Sequence, residues 1–364
     1  MEVKTINDVD LSENPVIAQM QNMGHEQILF CNDNTTGLKA IIAIHNTVLG
    51  PALGGTRMWS YSNEEEALND VLRLSKGMTY KNSISGLNLG GGKAVIIGNS
   101  RMDKTEALFR RFGKFVNSLG GKYITAEDVG ISPIDMNWVN METNHVVGLP
   151  GKSGDPSPLT ALGVYMGMKA CAKIKYGNDS LEGKKIAVQG VGHVGEYLVS
   201  HLVKENAIVS VTDIHQDVLN RVSKEYGVNV IATEDIYDID MDIYAPCALG
   251  STINDKNLDR LNCSIIAGAA NNQLENEVLH GEELLKRKII YAPDYVINAG
   301  GVINCFSEVK GLSAKWSKNK TKQIYNTIYN IVKRSKDEEK ATYLIANKMA
   351  EERIEAIGKV KLPM

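Results

Sequence analysis

Three short segments in the first part of the chain set isolated cations and acids beside glycine. They are Gly50-Pro51-Ala52-Leu53-Gly54-Gly55-Thr56-Arg57, then Lys76 to Lys81 followed by Gly90-Gly91-Gly92-Lys93, and Thr125-Ala126-Glu127-Asp128-Val129-Gly130. Lys93 stands between three glycines and the apolar run Ala94 to Ile97. Partial burial there, with a second cation such as Lys81 nearby, would lower the lysine's pKa toward neutrality and let it act as a general base. The local sequence fits a surface lysine after a flexible turn equally well. A phosphate loop does not fit, because Leu87 stands where its leading glycine belongs and Ala94 where Ser or Thr belongs.

A second kind of chemistry is written in Gly190-Val191-Gly192-His193-Val194-Gly195. Gly190 would make a tight turn, Gly192 would let backbone approach a pyrophosphate, and Gly195 would let helix pack on strand. A helix starting there offers N–H groups and a positive dipole end to phosphates. The β-rich run Lys185 to Gln189 precedes the motif, a helical pattern follows, and Asp213 ends the next β-rich run, where a carboxylate takes ribose hydroxyls. That context favours a dinucleotide site over a glycine-rich turn in a non-binding domain. Asp213 favours NAD over NADP, since a carboxylate repels a 2′-phosphate; no arginine follows it directly, and His215 softens the preference.

The elements that must position these groups can be read from periodicity. Leu38 to Ile44 is a β-rich run, and Ala94 to Ile97 a short buried strand. Glu64 to Met78 is expected to be helical, with Ala67, Val71, Leu74 and Met78 on one face. Thr105 to Leu119 is a second helix. Gly148 to Pro158 reads as a linker or hinge, with Ser157 as N-cap and Pro158 opening a helix to about Ile174. From Lys184 strands and helices alternate, at Lys185–Gln189, Val194–Glu205, Ala207–Asp213, Ile243–Tyr244, Ile265–Ile266 and Ile289–Ile290, which implies a parallel sheet. Ile324, Ile328 and Ile331 place another helix in the tail. The fold class expected is α/β, with two domains separated by a cleft. An N-terminal α/β domain for substrate binding and oligomerisation would cover 1–147, joined by C-terminal helices from about 330 to 364. A Rossmann-type dinucleotide-binding domain would cover 148–329.

The 364 residues are 43% hydrophobic and 23% charged, ordinary for a globular protein of two domains. A net charge of −3 gives no basic face for nucleic acid or an anionic membrane. Cys31, Cys171, Cys247, Cys263 and Cys305 are scattered, which argues against a disulfide framework or zinc site and for a reducing, cytoplasmic setting. No metal site is expected among the seven histidines. The first residues, Met1 to Asp8, show no leader pattern, and no apolar run reaches the roughly 18 residues of a membrane span.

The segments Gly50–Trp59, Gly77–Gly98, Tyr123–Gly130, Ser157–Gly163, Ala245–Gly250, Asn271–Gln273 and Ala292–Asn304 resemble the glutamate/leucine/phenylalanine/valine dehydrogenase family, its leucine-acting branch most of all. The resemblance covers nearly the whole chain. It implies NAD-dependent, reversible oxidative deamination of a small L-amino acid to a 2-oxo acid and ammonium. By resemblance, Lys93 matches the catalytic lysine that activates water and holds the substrate carbonyl in reverse. Lys81 matches the lysine that pairs with the substrate α-carboxylate, and Asp128 the acid that exchanges protons with the amine. Asn298 matches an asparagine beside the substrate carboxylate and nicotinamide ribose, Thr160 a threonine on the nicotinamide carboxamide, and Asn271 lies in a segment lining the cofactor cleft. A homo-oligomer, an octamer, is implied too. The presence of Lys93 and Asp128 speaks against a non-catalytic NAD-binding scaffold.

Side-chain choice rests on Leu53, Gly54, Ala126, Val302 and Cys305. In glutamate-acting members the resemblance places a lysine and a serine at the positions of Leu53 and Cys305. Val302 and Cys305 are three apart and share a helix face; with Ala126 they would form an apolar pocket, or they pack a core only. A glutamate γ-carboxylate there would be a buried unpaired charge, which costs several kcal/mol. Leucine, valine and isoleucine are therefore expected, with an aromatic substrate as the alternative. The chain departs from the family pattern at Ser100, at the shortened stretch Gly148 to Gly154, and at Cys305.

Overall fold

In strand β5, Gly90–Ile97, side chains alternate between two faces of a sheet, and both faces are covered. Ala94 and Ile96 join one apolar cluster with Phe109, Phe112 and Met58, while Val95 joins another with Ala67, Leu68, Val71 and Leu72. The computed structural model describes residues 15–149, 151–152, 154–248 and 250–360. The stretch read for a leader lies outside them, as do Pro150 and Ser153 of the expected linker.

Among the described residues the chain divides into two compact units, one formed by residues up to Gly154 with those from Arg353 onward, the other by Asp155 to Glu352. The first contains α1 Pro15–Met23, β1 Gln27–Asp33, β2 Leu38–Asn46, β3 Ala52–Leu53, β4 Thr56–Trp59, α2 Glu64–Ile84, β5, α3 Glu106–Ser118, β6 Tyr123–Ile124 and α4 Pro133–Asn140. Its sheet runs β1-β2-β5-β3-β6, with β4 also on β5. β1, β2 and β5 pair antiparallel, while β3, β4 and β6 join in parallel. Thus β3 and β4 lie along one edge of β5, interrupted at Gly54-Gly55.

The second unit contains α5 Ser157–Tyr176, β7 Lys185–Gln189, α6 His193–Lys204, β8 Ile208–Thr212, α7 Gln216–Tyr226, β9 Asn229–Val230, β10 Ile243–Pro246, α8 Asp255–Leu258, β11 Ile265–Ile266, α9 Glu277–Lys286, β12 Ile290–Tyr291, α10 Asp294–Ile297, α11 Gly300–Val309, α12 Ala314–Lys322 and α13 Ile324–Glu338. Helix α14, Thr342–Val360, carries the unit boundary. The sheet is parallel throughout, in the order β12-β11-β10-β7-β8-β9. This is the doubly wound order in which a nucleotide binds beyond the carboxyl ends of the central strands.

Several boundaries move. The strand expected at Ala94–Ile97 starts at Gly90, so the triple glycine is strand and not turn. Helix α2 runs on to Ile84, and its buried face passes through Ser75, Thr79 and Asn82, with Leu74 and Met78 only half-buried. Ser157 is inside α5, whose N-cap is Pro156; the Asp155 carboxylate accepts the Ser157 N–H at 2.8 Å. The division falls at 154/155 and 352/353 instead of near 147 and 330, because α13 packs on α5 through buried Ile324, Ile328 and Ile331.

Candidate active site

Glycine is required where the first unit's chains converge. A Cβ on Gly54 would lie 1.7 Å from the Gly92 carbonyl oxygen, and one on Gly91 would lie 2.1 Å from the Thr79 nitrogen. The first contact closes β3 onto β5. The second seats α2 against β5 two residues from Lys81 and two from Lys93. Beyond β3 and β4 the chain from Tyr123 to Val129 continues alongside: Thr56 N–H donates to Ala126 O at 2.8 Å, and Met58 N–H to Val129 O at 3.0 Å. Asp128 thus comes to the strand that carries Arg57, which neighbours the strand that carries Lys93.

Lys93 is 6% exposed. Its Nζ lies 2.6 Å from Asp128 Oδ2. Burial lowers the lysine's pKa; the Asp128 carboxylate opposes that shift, and the Arg57 guanidinium adds to it. For Asp128 burial acts upward, but the charges of Lys93 and Arg57 win and hold the carboxyl below its usual range. The pair thus sets a buried ammonium, its pKa lowered, beside a carboxylate whose own pKa is lowered too. Removing one partner of such a pair leaves a buried charge uncompensated, at about 3–5 kcal/mol.

Arg57 and Asp70 were given no role by sequence reading. Arg57 Nε donates to Asp128 Oδ2 at 3.2 Å and Nη1 to Asp70 Oδ2 at 2.9 Å. Tyr61 and Arg73 also donate to Asp70, at 2.7 and 2.9 Å. One signal was available: Asp70 falls between Ala67 and Leu74 on the helix face read as apolar, an unusual place for a charge. An open pocket of about 480 Å³ lies against this network, walled in part by Arg57, Trp59, Tyr61 and Asp70. Neither Lys93 nor Asp128 lines it; the pocket is the solvent side of Arg57.

Lys81, half-buried, lies in the last turns of α2. Leu53 is buried between Gly91 of β5 and Ile124 of β6, and Ala126 is buried close by along the same chain. Gly54 is fixed from above by the Tyr123 hydroxyl, which donates to its carbonyl at 2.6 Å.

In the second unit Gly190 has φ +95°, a conformation that favours glycine. A Cβ on Gly195 would sit 2.0 Å from the Gly190 carbonyl oxygen, so helix α6 packs on the loop by virtue of that glycine. Gly192 differs: a Cβ there would meet nothing within 4 Å, and the residue is exposed at the N-cap of α6, where no side chain caps the helix. That open cradle, with His193 and Val194 in the first turn, fits a dinucleotide pyrophosphate. Asp213 Oδ2 accepts the Val191 N–H at 2.8 Å and Oδ1 the His215 N–H at 3.0 Å. The carboxylate therefore fixes the loop, and each oxygen keeps a second lone pair for a ribose hydroxyl.

Asn271 and Asn298 are brought together: Asn298 Nδ2 donates to Asn271 Oδ1 at 2.7 Å and to Ala269 O at 3.1 Å. Thr160 bonds back to Pro156 O at 3.0 Å and borders the start of α11, where a Cβ on Gly300 would lie 2.2 Å from Leu159 O. Val302 is buried and Cys305 half-buried along α11. Among the described residues no group of three metal-ligating side chains clusters, and no helix is long and apolar enough to cross a membrane.

Comparison with known proteins matches both units. Residues 25–145 match the family model described as Glu/Leu/Phe/Val dehydrogenase, dimerisation domain; residues 151–222 and 208–360 match that described as Glutamate/Leucine/Phenylalanine/Valine dehydrogenase. Leucine dehydrogenase of Geobacillus stearothermophilus is 54% identical over 347 residues, 94% of each chain. Leucine dehydrogenase of Bacillus subtilis is 54% identical over 339 residues, 92% of this chain and 93% of that one. The crystal structure of L-tryptophan dehydrogenase from Nostoc punctiforme superposes with a TM-score of 0.86 at 45% identity, covering 94% of this chain and 99% of that one. Members of this family depend on NAD or NADP. With both units matched and identity sustained over almost its full length, the chain belongs to the Glu/Leu/Phe/Val dehydrogenase family and is an amino-acid dehydrogenase.

Proposed function

We propose that the protein catalyses NAD-dependent, reversible oxidative deamination of branched-chain L-amino acids, leucine, valine and isoleucine, to 2-oxo acids and ammonium. The observation that carries this reading is the buried Lys93–Asp128 pair at 2.6 Å, in a chain 54% identical to leucine dehydrogenases. An α-amino acid brings one carboxylate and one amine. Lys81 answers the carboxylate, and Asp128, ionised beside its two cations, takes and returns the amine proton. Nicotinamide, when bound, supplies the hydride acceptor. Lys93, with its pKa lowered by burial, takes a proton from the water that attacks the iminium carbon, and in the reverse direction its ammonium holds the substrate carbonyl.

NAD is favoured over NADP by Asp213, whose charge opposes a 2′-phosphate at the end of β8. Gly190, Val191, Gly192, His193, Val194 and Gly195 would hold the pyrophosphate, with Thr160, Asn271 and Asn298 toward the nicotinamide. Leu53, Gly54, Ala126, Val302 and Cys305 would receive the side chain, and an apolar one suits them. A match to a dimerisation-domain model supports a homo-oligomer, which we take as an octamer. A cytoplasmic location fits the scattered cysteines.

The test is a panel of 2-oxo acids with ammonium, following oxidation of NADH and of NADPH. Turnover of branched-chain oxo acids with NADH is expected, and its complete absence would sink the reading. The similarity to a tryptophan dehydrogenase structure supports a second reading, an aromatic substrate, which preference for indolepyruvate or phenylpyruvate would establish.

A further inference from the structure

Asp128 Oδ2 receives two cations, Lys93 Nζ at 2.6 Å and Arg57 Nε at 3.2 Å. They differ in kind. Lys93 must lose and regain a proton in each turnover, and when it does, Asp128 loses one counter-charge. Guanidinium does not deprotonate at any working pH. Arg57 is moreover held from behind: its Nη1 reaches Asp70 Oδ2 at 2.9 Å, and that carboxylate is fixed by Tyr61 at 2.7 Å and Arg73 at 2.9 Å. Arg57 and Asp70 are mostly buried, with side chains 21% and 15% exposed. In strand β4, Arg57 pairs with Val95 of β5, and both Val95 and Lys93 point to the face on which α2 packs. β4, β5, α2 and the Asp128 segment therefore contribute one charged group each to a single line, Lys93–Asp128–Arg57–Asp70.

We propose that Arg57 is a positioning residue for the reaction: it anchors Oδ2 of Asp128, so that this carboxylate keeps its charge and place while Lys93 exchanges its proton, and Asp70 in turn holds Arg57. The inference rests on the reading of Lys93 and Asp128 given above. It divides the work of Arg57 into charge and placement, and the two separate experimentally. Among the groups here, Lys93 and Arg57 act on Asp128, Asp128 acts in turn on Tyr61 and Tyr123, and Asp70 acts on Lys93 and Arg57. Removing the charge of Arg57 moves both Asp128 and Lys93 upward, since that cation lowers each of them. The acid limb of kcat/KM must then move to higher pH whichever group governs it. Loss of Asp70 leaves the charge of Arg57 in place and removes its hold; it also takes away a charge that raises Lys93, so it can move the limb only downward.

The experiment is kcat and kcat/KM for L-leucine with NAD across pH, on the full protein and on R57Q, R57K and D70N, with K93A as control and NADH titration as the check of folding. R57Q is expected to raise the acid limb by about one pH unit and to lower kcat between about tenfold and a hundredfold, with the KM for NAD unchanged. R57K keeps the limb near that of the parent while kcat stays low, because a lysine cannot span Asp128 and Asp70 as a guanidinium does. D70N lowers kcat several-fold without raising the limb. A limb in R57Q that coincides with the parent's overturns the proposal, as does a kcat in D70N within twofold of the parent. If R57Q does not fold, R57K and D70N decide, since D70N lies on the solvent side of the network. Turnover by K93A would instead overturn the reading of the site itself; an inactive K93A with an unmoved R57Q overturns this inference alone.

Discussion

The two units solve the problem of placing polar groups in opposite ways. In the second, the glycine loop is contiguous: strand β7, the glycines from Gly190 to Gly195 and helix α6 follow one another, and only Asp213 comes from farther along. In the first, Lys93, Asp128, Arg57 and Asp70 come from β5, the segment after β6, β4 and α2, and meet as ion pairs. A phosphate can be cradled by backbone N–H groups that any local turn supplies. A lysine of lowered pKa needs burial and a nearby cation, and only tertiary structure supplies those together. Glycine serves both units, to different ends. Gly192 leaves space for a ligand, whereas Gly54 and Gly91 abolish space so that chains can touch.

Substitutions can break this contrast, and the largest effects are expected at Lys93 and Asp128. Asp128→Asn should lower kcat by about a thousandfold while NADH binding, a property of the second unit, stays unchanged. Because the Asp128 carboxylate opposes the downward shift of Lys93, the residual activity should have a pH profile displaced to lower pH. Steady-state rates across pH together with a fluorescence titration of NADH read both. Gly195→Ala is the counterpart in the second unit. A Cβ 2.0 Å from the Gly190 carbonyl oxygen forces the loop and α6 apart, and several kcal/mol of stability should go with cofactor binding. Thermal unfolding with and without NAD measures it.

A pH effect should separate the units next. Behind α2, His25 and His45 meet edge to face at 4.8 Å; His25 bonds Ser75 Oγ and His45 bonds Thr79 Oγ1, each at 2.8 Å. Burial, and then the charge of His45, lowers the His25 pKa from 6.5 to about 4, and His45 is lowered by burial as well. The folded first unit thus prefers both neutral. Its stability is fully present above pH 6.5, and is lost as pH falls from 6.5 toward about 4. For His25 alone the loss is of the order of 3 kcal/mol. Hydrogen exchange across that range should show α1 and α2 opening before the parallel sheet, and His25→Gln should flatten the dependence; equal loss in both units would contradict the assignment. The smallest effect belongs to Gly192→Ala, whose Cβ meets no protein atom. Stability should hold while the KM for NAD rises roughly tenfold.

What could be read before folding follows the same division. The glycine loop, Asp213 and the strands from Lys185 onward other than Asn229–Val230 were legible, because each is a local pattern with a fixed neighbour. The triple glycine before Lys93 left a flexible turn open as one of two equal readings, since glycine is a poor strand former. It is strand because Asn46, Thr79 and Tyr123 press on Gly90, Gly91 and Gly92, contacts that no local window holds. The cation beside Lys93 could be guessed but not chosen: Lys81 was at hand in the sequence, whereas Arg57, on a neighbouring strand, adds to the lowering by burial in the fold. Asp70, set in an apolar helical stripe, was the visible sign that a cation had to meet it. The end of α2 was missed because its buried face turns polar at Ser75, Thr79 and Asn82.

The central claim is that Lys93 performs the proton chemistry in one unit while the cofactor is held by the other. Lys93→Ala tests it most directly, with L-leucine turnover and NADH affinity measured on one preparation. The account predicts turnover lowered by about a thousandfold or more with the Kd for NADH unchanged. Turnover within tenfold of the parent would contradict it.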